Sequence, residues 1–152
     1  MLTAKLKTCI ETAQGMGMGT RDVNLVPDFS RVLGAKAIDD YHLRIFIDAP
    51  TSTTTLNNLK LNQVMSVVIV DIFNAESYQF KGRFVSSSNV SAEEQVFVDD
   101  YLERFNEGGI ALGLNPDIVF NYPHTEMLGI TMEVQEIFEQ TPKKGTGQKM
   151  QS

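Results

Sequence analysis

Positive charge is the first thing this chain is short of. Thirteen Lys and Arg stand against nineteen Asp and Glu, a net charge of −6. A nucleic-acid binder needs a basic face to offset phosphate charge, and docking on an anionic membrane needs the same, so neither partner is expected. Cysteine is scarcer still. Cys9 stands alone, which excludes an internal disulfide and any cysteine-based zinc cluster and sets a reducing, cytoplasmic compartment as the default. No apolar run approaches the roughly 20 residues that span a bilayer. The opening MLTAKLKTCIETA lacks the continuous apolar core of a signal peptide. Histidine occurs twice, at His42 and His124; either is a candidate acid–base group, and each reads first as a surface or loop residue.

What is present is ordinary for a soluble globular chain: 152 residues, 42% hydrophobic and 21% charged. That is one domain with enough length to bury a core. Residues 1–140 read as the domain, and TPKKGTGQKMQS from Thr141 onward, polar and glycine-bearing, reads as a mobile tail.

Leu2, Leu6, Cys9, Ile10 and Ala13 recur at helical spacing, so the chain opens with an amphipathic helix ending at Gly15, with Cys9 as a buried inert thiol. GMGMGT (Gly15 to Thr20) fails the dinucleotide-binding spacing and follows a helix; a strand whose alternate glycines admit close packing fits better. Val64 to Phe73 is an almost unbroken β-branched run, expected to be buried on both faces. Ser77 to Val85 alternates and pairs with it as a hairpin. Ser91 and Glu94 form a capping box ahead of Val98, Tyr101, Leu102 and Phe105, a second amphipathic helix ending at Gly108-Gly109. Asp99, Asp100 and Glu103 read as its solvated side, with a metal set the lesser alternative. Ile110 to Glu126, with Pro116 and Pro123, holds at most one short element. Met127 to Phe138 is the last strand, with a bulge over Glu136–Phe138.

The stretch that organises the rest is Ser30 to Leu61. Val32, Leu33, Ala35, Ala37 and Ile38 make a strand, Asp39-Asp40 turns it, and His42 to Asp48 returns with Leu43, Ile45 and Ile47 on one face. Pro50 stops that strand. Thr51-Ser52-Thr53-Thr54-Thr55 then leads into a helix, where a hydroxyl is the usual N-cap. Amide N–H groups with a helix dipole behind them also favour an anion, and Arg31 and Lys36 lie on the preceding strand. A phosphorylated ligand is one reading; plain capping and solvated cations are the other. The sum is an α+β domain around a mostly antiparallel sheet of about six strands, which suits a barrel that closes on itself.

These residues resemble the FMN-binding split-barrel family related to pyridoxamine 5′-phosphate oxidase over nearly the whole chain. The likeness is carried by the opening helix and glycine-bearing strand, and by Arg31-Val32-Leu33-Gly34-Ala35-Lys36, which matches the family's Arg-x-x-x-x-Lys strand. Ile45-Phe46-Ile47-Asp48, the Ser52 helix and Leu59-Lys60-Leu61-Asn62 follow in register. Lys81-Gly82-Arg83 and Gln140-Thr141-Pro142-Lys143-Lys144-Gly145 complete it. The resemblance implies a six-stranded split β-barrel with flanking helices and a homodimer with FMN at the subunit interface. It also implies flavin-dependent hydride or electron transfer with a small-molecule donor or acceptor. Arg31 and Lys36 would contact the flavin, Ser52, Thr53 and Thr54 its phosphate, and Ser77 would stand near the position of a flavin-contacting glutamine.

The departures are as informative. Ser52-Thr53-Thr54 replaces the family's Ser-Arg-Lys phosphate clamp, removing two charge-assisted bonds. The substrate-binding Arg and His of the oxidase itself have no counterpart, so pyridoxal phosphate synthesis is not expected. Two alternatives follow: a split-barrel binding module with lost or weakened flavin binding, and a haem or related cofactor in the same groove with His124 as a ligand.

Overall fold

A computed structural model of the chain describes residues 1–119 and 124–150. The expected passage over residues 110–126 is therefore described only in part. The elements run α1 (Ala4–Thr12), β1 (Gly15–Arg21), β2 (Pro27–Arg31), β3 (Ala35–Ala37), β4 (His42–Asp48), a single 3-10 turn (Pro50–Ser52), α2 (Thr53–Asn62), β5 (Val64–Asp71), β6 (Glu76–Asn89), α3 (Ala92–Ala111), α4 (Pro116–Val119) and β7 (Met127–Glu139). All seven strands form one sheet in the order β2-β1-β5-β6-β7-β4-β3, and every ladder is antiparallel.

The α+β class and the antiparallel sheet are as expected; six strands and a closed barrel are not. The seventh strand is β2, which forms over Pro27–Arg31, ahead of the strand expected over Val32–Ile38, of which only Ala35–Ala37 joins the sheet. Gly34 sits at φ +117, a conformation that breaks the pleat, so Arg31 ends β2 and Ala35 begins β3. These two strands lie at opposite edges of the sheet. Four residue steps span at most roughly 14 Å, so the sheet must roll until its edges almost meet. Among the described residues no ladder joins β2 to β3. Only Leu33 N–H to the Phe46 carbonyl (2.7 Å) and Phe46 N–H to the Gly34 carbonyl (2.9 Å) stitch the link to β4. The sheet rolls without closing.

α1 packs on both β3 and β5 and puts Leu6, Cys9 and Ile10 into the core inside the roll, with Met18, Ile45 and Phe80. Each such side chain contributes about 1.5–3 kcal/mol by leaving water. A second, smaller core joins Leu33 and Phe46 to Val98 of α3. This reverses two expectations. β5 alternates, with Met65, Val67 and Ile69 buried and its other face half-exposed. β4 is buried on both faces, because α3 covers the side that carries Arg44 and Phe46.

The capping box of α3 forms as read, Ser91 Oγ accepting the Glu94 N–H. Its glycines do not end it: Gly108 lies inside the helix, where a Cβ would meet Ile72 Cδ1 at 2.7 Å. The β7 bulge falls one residue earlier than expected, since Lys81 pairs Glu136 but Gly82 pairs Val134, leaving Gln135 over. Beyond β7 the chain doubles back, with Met150 N–H bonding the Ile137 carbonyl (2.8 Å).

Candidate functional site

The hydroxyl run before α2 folds differently from a simple cap. Ser52 stands at the N-cap position but its side chain makes no capping bond, and it is buried. The loop is held from the end of β4 instead. The Asp48 carboxylate accepts from Thr51 Oγ1 (2.9 Å) and from the N–H groups of Thr51, Thr125 and Glu126. Burial pushes the Asp48 carboxyl up, but these bonds outweigh it and hold the group below the usual carboxylate range. On the other flank Thr55 Oγ1 donates to Asp28 Oδ2 (2.5 Å) and accepts from Ser30 Oγ (2.7 Å). Thr53 and Thr54 are exposed.

The Ser30–Thr55 bond places Arg31, on the exposed face of β2, beside the start of α2. Residues 31–36 then run antiparallel to β4, so Lys36 arrives opposite Arg44. From Asp48 back to Arg44 is four strand residues, about 13 Å. Arg31 and Lys36 thus flank one segment, with the helix start at the Arg31 end. Each belongs to an edge strand, whose outer row of N–H and C=O groups lies outside the ladders.

The Lys36 end is already matched by charge. Its ammonium lies 3.8 Å from Glu94 of α3. Glu94 also receives Arg44 Nε at 3.0 Å, while the Arg44 guanidinium bonds the Gly129 carbonyl (2.8 Å) and Ser88 Oγ (2.8 Å). Burial raises the Glu94 carboxyl, and the Arg44 bonds, the Ser91 N–H and the nearby cations bring it below its ordinary range. α3 also covers Gly34, where an added Cβ would meet Tyr101 at 3.2 Å and Phe97 at 3.3 Å.

Ser77 is not brought into this group. It is the second residue of β6, three strands from β2, and bonds Thr141 and Gln140. Its neighbours line a separate pocket of about 340 Å3. His124 is exposed, next to Thr125 on the Asp48 knot, and so lies near the start of α2. Sequence reading missed Asp28, Asp48 and Glu94 as site residues. The capping box pointed to Glu94 for a local reason, but nothing local signals its bond to a side chain 50 positions away. Among the described residues no group of three His, Cys, Asp or Glu side chains could hold a metal, and no helix is long and apolar enough to cross a membrane.

An open groove of about 690 Å3 lies beside the last turn of α2, lined among others by Arg21, Asn62, Ser66, Lys81 and Arg83, and of the site residues named above only Asp28 borders it. It is large enough for a nucleotide-sized ligand. At the helix start, positive charge for a ligand phosphate would come from Arg31 and not from α2 itself. The first turn of α2 carries no cation, its one basic residue being Lys60 in the last turn, and two carboxylates flank it.

No protein-family model and no curated protein matches the chain. Solved structures do. HupZ of Group A Streptococcus is 18% identical with a TM-score of 0.59, over 97% of this chain and 99% of that one. A protein from Lactobacillus delbrueckii, described as a putative pyridoxamine 5′-phosphate oxidase, is 12% identical at TM-score 0.57, over 90% and 93%. An FMN-binding protein from Syntrophomonas wolfei is 13% identical at TM-score 0.56, over 91% and 85%. At such identities the likeness is one of fold. The chain has the fold of pyridoxamine 5′-phosphate oxidase-like, FMN-binding proteins.

Proposed function

We propose that this chain is a small homodimeric flavoprotein that moves hydride or electrons between small molecules through a flavin-type cofactor, without making pyridoxal phosphate. The reading is supported by one arrangement above all: two cations flank an edge segment whose Arg31 end lies at a helix start, and the neighbouring Asp28 borders an open groove. In it Arg31 and Lys36 meet the ring system, with edge-strand amides offering donors to its pyrimidine end, and Thr53 and Thr54 meet the ribityl tail. Ser52, buried, shapes the loop. Ser77, three strands away, reaches the ligand only across the subunit interface. The flavin supplies the redox chemistry, and the protein's part is to orient it and to place positive charge where the reduced ring becomes anionic. FMN is the first cofactor to test, since proteins of this fold include one described as FMN-binding.

The second reading, a binding module with lost or weakened flavin binding, draws on the Lys36–Glu94 pair and on α3 covering Gly34. Titrating purified protein with FMN and riboflavin separates the two. A flavin-binding protein is expected to quench flavin fluorescence and to melt at higher temperature with saturating ligand, by a few kcal/mol of added stability. Arg31→Ala should weaken that binding by about 1.5–3 kcal/mol; an unchanged dissociation constant would remove Arg31 from the site.

A further inference from the structure

This acidic chain keeps a local surplus of positive charge. Arg21 ends β1, Lys81 and Arg83 stand two apart on β6, and all three line the 690 Å3 groove beside the last turn of α2. Among the described residues none of the three belongs to an ion pair. Their partners are neutral. Arg21 Nη1 donates to the Asp22 carbonyl (3.1 Å), Arg83 Nη2 donates to Gln63 Oε1 (2.7 Å), and the Lys81 ammonium lies 4.4 Å from the centre of the Phe138 ring. The two carboxylates on the groove wall are engaged elsewhere: Asp28 accepts from Thr55, and Glu136 takes the Lys149 ammonium at 2.6 Å.

The ladders set the spacing of the cations. β1 and β6 flank β5, with Thr20 opposite Met65 and Val64 opposite Arg83. Arg21 and Arg83 are therefore two strand spacings apart, about 10 Å between backbones, and Lys81 is about 7 Å from Arg83 along its own strand. Thr20 and Gly82 are buried, so all three cations leave the sheet on its other face. Side chains this long can close on one group from that spacing. Two planar guanidinium forks and an ammonium match the several oxygens of a phosphate better than a single carboxylate. The groove is far larger than a bare phosphate needs and is of the size that holds an organic ligand. Pro27 and Val64, with the Ser66 hydroxyl and the Gln135 amide, offer the rest of the wall to an uncharged, ring-bearing body.

We infer that this groove is a second ligand site, apart from the flavin site, that takes an organic phosphate of nucleotide size, with Arg21, Lys81 and Arg83 on the phosphate. The inference goes beyond the flavin reading and stands without it.

Isothermal titration calorimetry of the full chain with AMP, adenosine and inorganic phosphate tests it. AMP is expected to bind about tenfold or more tightly than either fragment, since adenosine lacks the charge and inorganic phosphate lacks the body. Added salt should weaken AMP and leave adenosine unchanged. Arg83→Ala, at an exposed position, should weaken AMP about tenfold or more. Either fragment matching AMP overturns the inference, as does an AMP affinity that ignores salt or Arg83→Ala; the salt arm needs no variant. Absence of AMP binding at millimolar concentration and low salt overturns it outright. Displacement of AMP by riboflavin, which carries no phosphate, merges the groove with the flavin site and overturns it as a second one. AMP binding in a protein that takes up no flavin supports the groove and sinks only the flavin reading.

Discussion

Glu94 serves two neighbours at once: it closes the capping box of α3 and it neutralises Arg44, whose side chain is only 10% exposed. Removing it leaves a buried guanidinium without its counter-charge, so Glu94→Ala should cost about 3 kcal/mol in urea denaturation. The same carboxyl gives a pH signature. Its folded pKa lies below the ordinary 4.5, so its stabilisation is complete above about pH 4.5 and is lost as pH falls through the folded value. Denaturation midpoints measured between pH 7 and pH 3 should fall less steeply in Glu94→Gln than in the unmodified chain. Cys9 is the converse case. Burial, then the charges of Glu76 and Asp71, push its thiol up to about 11. It should therefore resist thiol-specific alkylation at pH 8 in the folded protein and react after unfolding.

At the level of elements, Gly34 decides most. Its positive φ separates β2 from β3, and its missing side chain lets α3 seat Phe97 and Tyr101 on the link. Gly34→Ala is strained on both counts and is expected to lose about 2 kcal/mol of stability, read from thermal or urea unfolding. α3 in turn explains why β4, with polar residues at alternate positions, is buried on both faces. Gly129 shows the same logic from β7: an added Cβ would run into the Arg44 guanidinium, so the strand is flat where the cation lies over it.

For the whole molecule, the unpaired edge carries exposed apolar side chains. Phe29 is 65% exposed and lies against Gly17 on the outer face of β2, with Val23, Leu25 and Val26 at the hairpin beside it. An edge strand with such a surface pairs readily with another chain, in keeping with the proposed homodimer. Sedimentation equilibrium should give twice the chain mass. Phe29→Asp should shift it toward one chain mass while leaving the far-ultraviolet circular dichroism unchanged. A single-chain mass for the unmodified protein would remove the subunit interface from the proposal.

Residue order alone determined most of the secondary elements, the capping box, the buried thiol and the likeness of fold, because periodicity and capping are local and act within a few positions; it missed β2 and the end of α3. It also placed Arg31, Lys36 and the hydroxyl run on one stretch. The partners of those residues were decided only by the rolled sheet. Asp28 meets Thr55 across 27 positions, Glu94 meets Arg44 across 50, and Thr125 meets Asp48 across 77. No local pattern reports such pairings. They follow from the strand order and from where α3 comes to rest, and they set the charge at the helix start.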